Sequence, residues 1–129
     1  MRALLLLLLA TGYLHAQTTT SHLVPVVGTD SAFTRAGTFT TVCGQVFSTT
    51  KNTRLRGQPT YINFGSNYPN QTFTAVLWAQ DRCEFSYDAL TYLRGKYVCI
   101  TGMVVLHRGK PQIVLKKEGQ VEVTGPPKQ

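Results

Sequence analysis

The stretch Tyr97-Val-Cys-Ile-Thr-Gly-Met-Val-Val-Leu-His-Arg-Gly-Lys-Pro-Gln-Ile-Val-Leu-Lys116 decides the fold class. Residues 97–106 are almost wholly apolar or β-branched, His107-Arg108-Gly109-Lys110 is a basic turn, and residues 112–116 resume the pattern. Such runs with a Gly-containing break between them read as strand, turn, strand. Working upstream, residues 86–93 (SYDALTYL) predict a short helix with Ser86 as N-cap and Gly95 just past its end. Residues 72–79 (TFTAVLWA) form a third strand so uniformly apolar that alternation does not choose its inner face, although Phe73 is assigned to the core. Residues 59–64 (PTYINF) alternate, with Ile62 and Phe64 on a core face and Tyr61 and Asn63 on the other, before a turn over residues 65–70. A first strand spans about residues 40–49, where Val42, Gly44 and Val46 alternate with Cys43, Gln45 and Phe47. Ahead of it, residues 29–36 predict a short helix capped by Thr29 or Asp30 and stopped at Gly37. Downstream, residues 120–123 make a last short strand, giving five strands plus a terminal segment.

The remaining sequence bounds the answer. A chain of 129 residues, 43% hydrophobic and 15% charged, holds one domain and is not disordered by composition. Arg2, the six leucines Leu4–Leu9 and the small residue Ala16 have the layout of a secretory signal peptide over residues 1–16, cut after Ala16 with Gly12 as the alternative. The leucine run is far shorter than the roughly 20 residues of a membrane span. Residues 17–28 read as a flexible leader, residues 29–125 as the folded domain and 126–129 as a tail. Export to an oxidising compartment, periplasmic or extracellular, makes disulfides available to Cys43, Cys83 and Cys99. None of these lies in a paired short spacing with another Cys or with His22 or His107, so no metal and no cofactor is expected. Nor is there a nucleophile elbow, a phosphate-cradling Gly-Lys-Ser/Thr loop or a His-Glu-x-x-His helix, so the chain is not expected to be an enzyme.

Three strands, a short helix and two strands follow the order of a five-stranded Greek-key OB-fold barrel, an all-β architecture suited to this length, with a further short helix before strand one. Val42-Cys-Gly-Gln-Val46, Tyr61-Ile-Asn-Phe-Gly65 with Tyr68-Pro-Asn-Gln-Thr-Phe73, Gly95-Lys-Tyr-Val-Cys-Ile-Thr-Gly102 and Gly109-Lys-Pro-Gln-Ile-Val114 carry a resemblance. They look like the corresponding runs of small secreted bacterial OB-fold domains of the anticodon-binding and single-stranded-DNA-binding group, over roughly residues 30–123. The resemblance implies nucleic-acid binding and supplies no catalytic residues. It also implies that strands one and four are neighbours, which would pair outward-facing Cys43 with outward-facing Cys99 in a disulfide. Cys83 is then left over, buried beneath the helix or free for an intermolecular bond.

Charge sharpens this. The formal net charge is +7, from 13 basic and 6 acidic residues, and removing residues 1–16 takes away only Arg2. Between Asp30 and Asp81 the only charged residues are Arg35, Lys51, Arg54 and Arg56, the last three in the connection between strands one and two. With His107, Arg108 and Lys110 they give two basic loops, which an OB barrel would place on either side of its strand two and three face. Tyr61, Asn63 and Tyr68 lie on or beside that face, and Trp78 is either a further ring there or, more in keeping with its apolar strand, core. Cations on phosphates and rings on bases are the recipe for binding single-stranded DNA, RNA or another polyanion. The alternative readings are an adaptor for a protein or glycan, its basic loops serving solubility alone, and a secreted nuclease, which would need carboxylates for a metal ion.

Overall fold

A computed structural model describes residues 10–18 and 23–128. Residues 1–9, which hold the whole leucine run, and His22 lie outside the described residues, while residues 10–18 are exposed and carry no regular secondary structure. Among the described residues no helix is long and apolar enough to cross a membrane.

The protein is all-β. Its strands are β1 (Val26–Gly28), β2 (Phe39–Lys51), β3 (Thr60–Phe64), β4 (Phe73–Leu77), β5 (Tyr97–Met103), β6 (Val105–His107), β7 (Lys110–Leu115) and β8 (Val121–Thr124). They pair in the order β6-β7-β4-β3-β2-β5-β8, with β1 attached to β2. The β1–β2 and β4–β7 pairs are parallel and the others antiparallel. At the level of ladder pairing the strands make an open eight-stranded sheet, seven along one path and β1 beside β2, rather than the expected closed ring of five. Two differences account for this. The segment read as leader ends in β1, because Thr41 N–H donates to Pro25 C=O (2.9 Å) and the β-branched Val27 packs on the core. The expected fourth strand divides at buried Val104, whose N–H and C=O bond back to Thr38 (3.0 Å) and Gly37 (2.7 Å) before residues 105–107 change partner to β7.

Strand β2 pairs with β5 along its first half and with β3 along its second, a change made at a bulge between Val46 and Ser48. An extra residue bends a strand and raises its twist, which lets one strand serve two neighbours. Inward-facing Val42, Val46, Ile62, Phe64, Phe73, Ala75, Leu77, Val98, Ile100, Ile113 and Leu115 build one core cluster, with Phe64 and Phe73 in ring contact at 5.3 Å. Period-two alternation accounts for β3, where Ile62 and Phe64 go inward and half-buried Tyr61 goes to the other face.

The helices are shorter than the sequence suggests. Residues Thr29–Arg35 form a 3-10 helix with Gly28 at its N-cap position and no side-chain cap, and its Ala32 is fully buried in the core. A second 3-10 helix, Ala79–Glu84, takes up residues expected partly in a strand. The α-helix α1 covers only Ala89–Tyr92 and is capped by Asp88, which accepts from Leu90 N–H, so Ser86 is not the cap. Cys43 stands directly opposite Cys99 across the β2–β5 ladder and the two are joined, with Cα atoms 4.0 Å apart. Cys83 is free and exposed, which removes burial beneath the helix as an account of it.

Candidate functional site

On the face of β3 and β4 turned away from the core lies a groove of about 790 Å3. Beneath it a polar row runs straight across four strands, since Ser48 pairs with Asn63, Asn63 with Thr74 and Thr74 with Gln112. Of these, Asn63, Thr74 and Gln112 line the groove, and the Thr74 hydroxyl donates to Asn63 Oδ1 at 3.2 Å.

Three connections wall it. In the β2–β3 loop, Asn52 Oδ1 accepts from the N–H groups of Arg54 and Leu55, both at 3.1 Å, and Gln58 N–H donates to Leu55 C=O at 2.9 Å. Gly57, at φ 85°, lets this loop lie flat on Trp78, because a Cβ there would stand 2.9 Å from Cε3 of the indole. The β6–β7 hairpin turns on Arg108 (φ 51°) and Gly109 (φ 77°) between the paired His107 and Lys110. Two consecutive positive φ angles are the type I′ geometry that matches strand twist. The third wall is the β3–β4 turn, which carries Tyr68, Pro69 and Gln71.

Of the residues singled out in the sequence, Lys51, Arg54, Tyr61, Asn63, Tyr68, His107, Arg108 and Lys110 all line this one groove. Arg56 does not: it follows Leu55 in the turn closed by Gln58 and is exposed outside the lining. Trp78 is neither in the core cluster nor in the groove, but half-buried beneath Gly57. Sequence reasoning passed over Thr50, Pro69, Gln71 and Gln112. Thr50 pairs with Tyr61 and so shares its face, a relation that follows once the β2–β3 register is known. Gln71 carried no signal, because its burial (5% exposed) comes from the turn folding over it.

Four cationic side chains, Lys51, Arg54, Arg108 and Lys110, thus border the groove, and among the described residues no acid lines it. The acids are placed elsewhere. Asp81 pairs with Lys116 at 3.2 Å, and Asp88 caps α1. Glu118 accepts from the Ser86 hydroxyl and N–H, which hold its carboxyl below the usual 4.5. A second cavity of about 200 Å3 beside α1 is lined by Arg82, Tyr87 and Asp88. There burial, with smaller contributions from Glu118 and Tyr92, pushes the Tyr87 phenol up to about 12. Among the described residues no three His, Cys, Asp or Glu side chains gather as a metal site. Chemically the large groove offers cations at its rim, two tyrosine rings, and amides and a hydroxyl at its floor.

No family model matches the chain, and no curated protein matches it. Among solved structures it is similar to a protein assigned as an aspartyl-tRNA synthetase from Leishmania major Friedlin, with 10% sequence identity and a TM-score of 0.47. That similarity covers 83% of this chain and 22% of the other, so the chain spans under a quarter of that protein's length.

Proposed function

We propose that this chain is an exported, non-catalytic binding protein of the OB type whose groove takes single-stranded nucleic acid or another extended polyanion. The observation that carries this reading is the meeting of Lys51 and Arg54 from one loop with Arg108 and Lys110 from another, around a groove that also holds Tyr61 and Tyr68. Clustered cations of one sign focus an attractive field on an anionic chain, and tyrosine faces give its bases a stacking platform. Strand order supports the OB reading: β7-β4-β3-β2-β5 with β4 and β7 parallel is the sequence of neighbours such a barrel needs. Only Val104 separates β5 from β6, which pairs with β7, and this continuity supports reading the two ends of that order as joined in a five-strand circuit. The signal-peptide-like layout of residues 1–16 and the Cys43–Cys99 disulfide support export.

Fluorescence anisotropy of a labelled single-stranded 12-mer, followed as salt is raised, tests the proposal. Four phosphate contacts predict a slope of about −3 in log K against log salt, on the basis of about −0.7 per contact for single strands. The Lys51→Ala/Arg54→Ala double variant is expected to bind more weakly and to lose close to half of that slope. No binding at low salt defeats the proposal, and cleavage of the probe dependent on magnesium or calcium would replace it with the nuclease reading.

A further inference from the structure

Among ordinary side chains imidazole alone changes its charge between about pH 5 and 8, whereas the ammonium of Lys and the guanidinium of Arg keep theirs. His107 sets an exposed imidazole on the rim of the groove, and register fixes its neighbour. It pairs with Lys110 across the two-residue turn Arg108-Gly109, and residues directly opposite in an antiparallel ladder put their side chains on one face, with Cβ atoms about 4.5–5.5 Å apart. Both line the groove, so that shared face is the groove face. The other charged or titratable groups brought to the groove are Lys51 of β2, Arg54 of the β2–β3 loop, Tyr61 of β3, Tyr68 of the β3–β4 turn and Arg108 of the hairpin itself. Strand β4 brings none, and among the described residues no carboxylate lines the groove.

Like charges placed opposite one another across a ladder repel. An imidazolium beside the Lys110 ammonium therefore has no counter-ion in the groove itself, and an anionic ligand has to supply one. A phosphate diester does so: its free oxygens accept from the imidazolium N–H and from the ammonium together, and charge-assisted bonds of this kind are about twice as strong as neutral ones. A neutral imidazole offers the same oxygen no charge. Ligand and proton thus favour each other at this corner of the groove, and such coupling is reciprocal.

We propose that His107 is a conditional fifth cation of the groove, whose imidazolium shares a phosphate of the bound strand with Lys110, so that binding draws a proton from the buffer and tightens as pH falls. This rests on the binding reading above and deepens it, since it gives the same site a regulation by pH that Lys51, Arg54, Arg108 and Lys110 alone do not provide.

The test follows binding of (dT)12 without terminal phosphates, a strand with no group of its own that titrates in the imidazole range, from about pH 8 to about pH 5.5. It uses the wild-type chain, His107→Gln, His107→Arg and the double variant His15→Gln/His22→Gln, which keeps His107 as its one histidine. Wild type is expected to bind about fivefold to tenfold tighter at the acid end, with a slope of log K against log salt steeper there by about 0.7, the value of one further phosphate contact. Calorimetry at about pH 6.5 in two buffers of different ionisation heat is expected to show proton uptake on binding. His107→Gln should hold the weaker affinity throughout and take up no proton, His107→Arg should hold the tighter affinity throughout, and the double variant should follow wild type. Melting curves at each pH establish that all four chains are folded. A wild-type affinity that is flat with pH overturns the proposal, as does a pH dependence that survives His107→Gln or vanishes from the double variant, and each of these leaves the polyanion groove standing. Failure of the wild-type chain to bind at low salt at either end of the range overturns both readings.

Discussion

Arg108 holds a backbone conformation that costs it stability. At φ 51° it occupies the first position of a two-residue hairpin turn, where Asn, Asp or Gly is favoured because a branched or long L-residue crowds its own carbonyl. Its side chain borders the groove, so the proposed function accounts for a residue that turn chemistry alone would reject. Arg108→Asn is therefore expected to move two quantities in opposite directions. Stability should rise by about 0.5–1 kcal/mol as the left-handed residue is relieved, and single-strand affinity at low salt should fall roughly fivefold to tenfold with the loss of one phosphate contact. Thermal melts and anisotropy on the same preparation check this; an unchanged affinity would remove Arg108 from the interface. Sequence marked this turn by its charge but gave no sign of its geometry, since Arg-Gly is not the Asn-Gly signature of type I′ turns. Tyr61 and Asn63 were legible because alternation with Ile62 and Phe64 left them one face to occupy. Gln71 was not, because only the folded β3–β4 turn buries it.

Strands were far more legible than helices, and the reason is where each draws its stability. β-branched and aromatic runs such as residues 97–103 and 110–115 mark their own strands, whereas the one-turn α1 is set by what it touches. The Thr49 hydroxyl of β2 donates to Leu90 C=O, and Arg94 Nε donates to that same hydroxyl at 3.0 Å, fastening α1 to the sheet. Ser86, which the sequence offers as the cap, is instead engaged by Glu118 from the 3-10 helix Glu118–Gln120. That clasp ties the entry of α1 to the connection between β7 and β8, and it is sensitive to acid. Because the Ser86 hydroxyl and N–H lower the folded carboxyl below its ordinary value, the unfolded chain binds the proton more readily. The clasp therefore contributes its full stability above the unfolded value near 4.5 and loses it as pH falls through the lower folded value. Glu118→Gln is expected to melt lower than wild type at neutral pH, by no more than a few degrees, and to converge on it as pH falls through the lowered folded value of the carboxyl. Melting curves at intervals across that range check it, and a constant gap between the two proteins would assign the effect to packing rather than to titration.

At the scale of the whole molecule, the groove and the covalent tie belong to different strand pairs, the groove floor lying on β3 and β4 and the disulfide crossing from β2 to β5. Outward-facing cysteines were readable from alternation around Val42, Val98 and Ile100, but their pairing needed the adjacency of two strands far apart in sequence, which the resemblance supplied and the β2–β5 register bears out. The net charge carried a similar half-message: it was readable as an excess, and only the fold brings Lys51 and Arg54 opposite Arg108 and Lys110. The disulfide closes a sequence separation of 56 residues. Inside that loop lie β3, β4, the β2–β3 loop and the β3–β4 turn, so most of the groove is built within it, while the basic β6–β7 hairpin lies beyond Cys99. Closing so long a loop restricts the unfolded chain and is expected to contribute about 2–4 kcal/mol. Within the folded state the seven paired positions of the β2–β5 ladder hold the same two strands in register without the bond. Reduction should therefore lower the melting temperature by ten degrees or more on the scaling for a domain of about 100 residues. Single-strand affinity well below that transition should stay within about twofold, because the groove's cations and floor are positioned by the ladder rather than by the sulfurs. Anisotropy titrations with and without reductant, each paired with a melting curve, decide it. A fall in affinity while the chain is still folded would mean that the disulfide shapes the groove as well as stabilising the molecule around it.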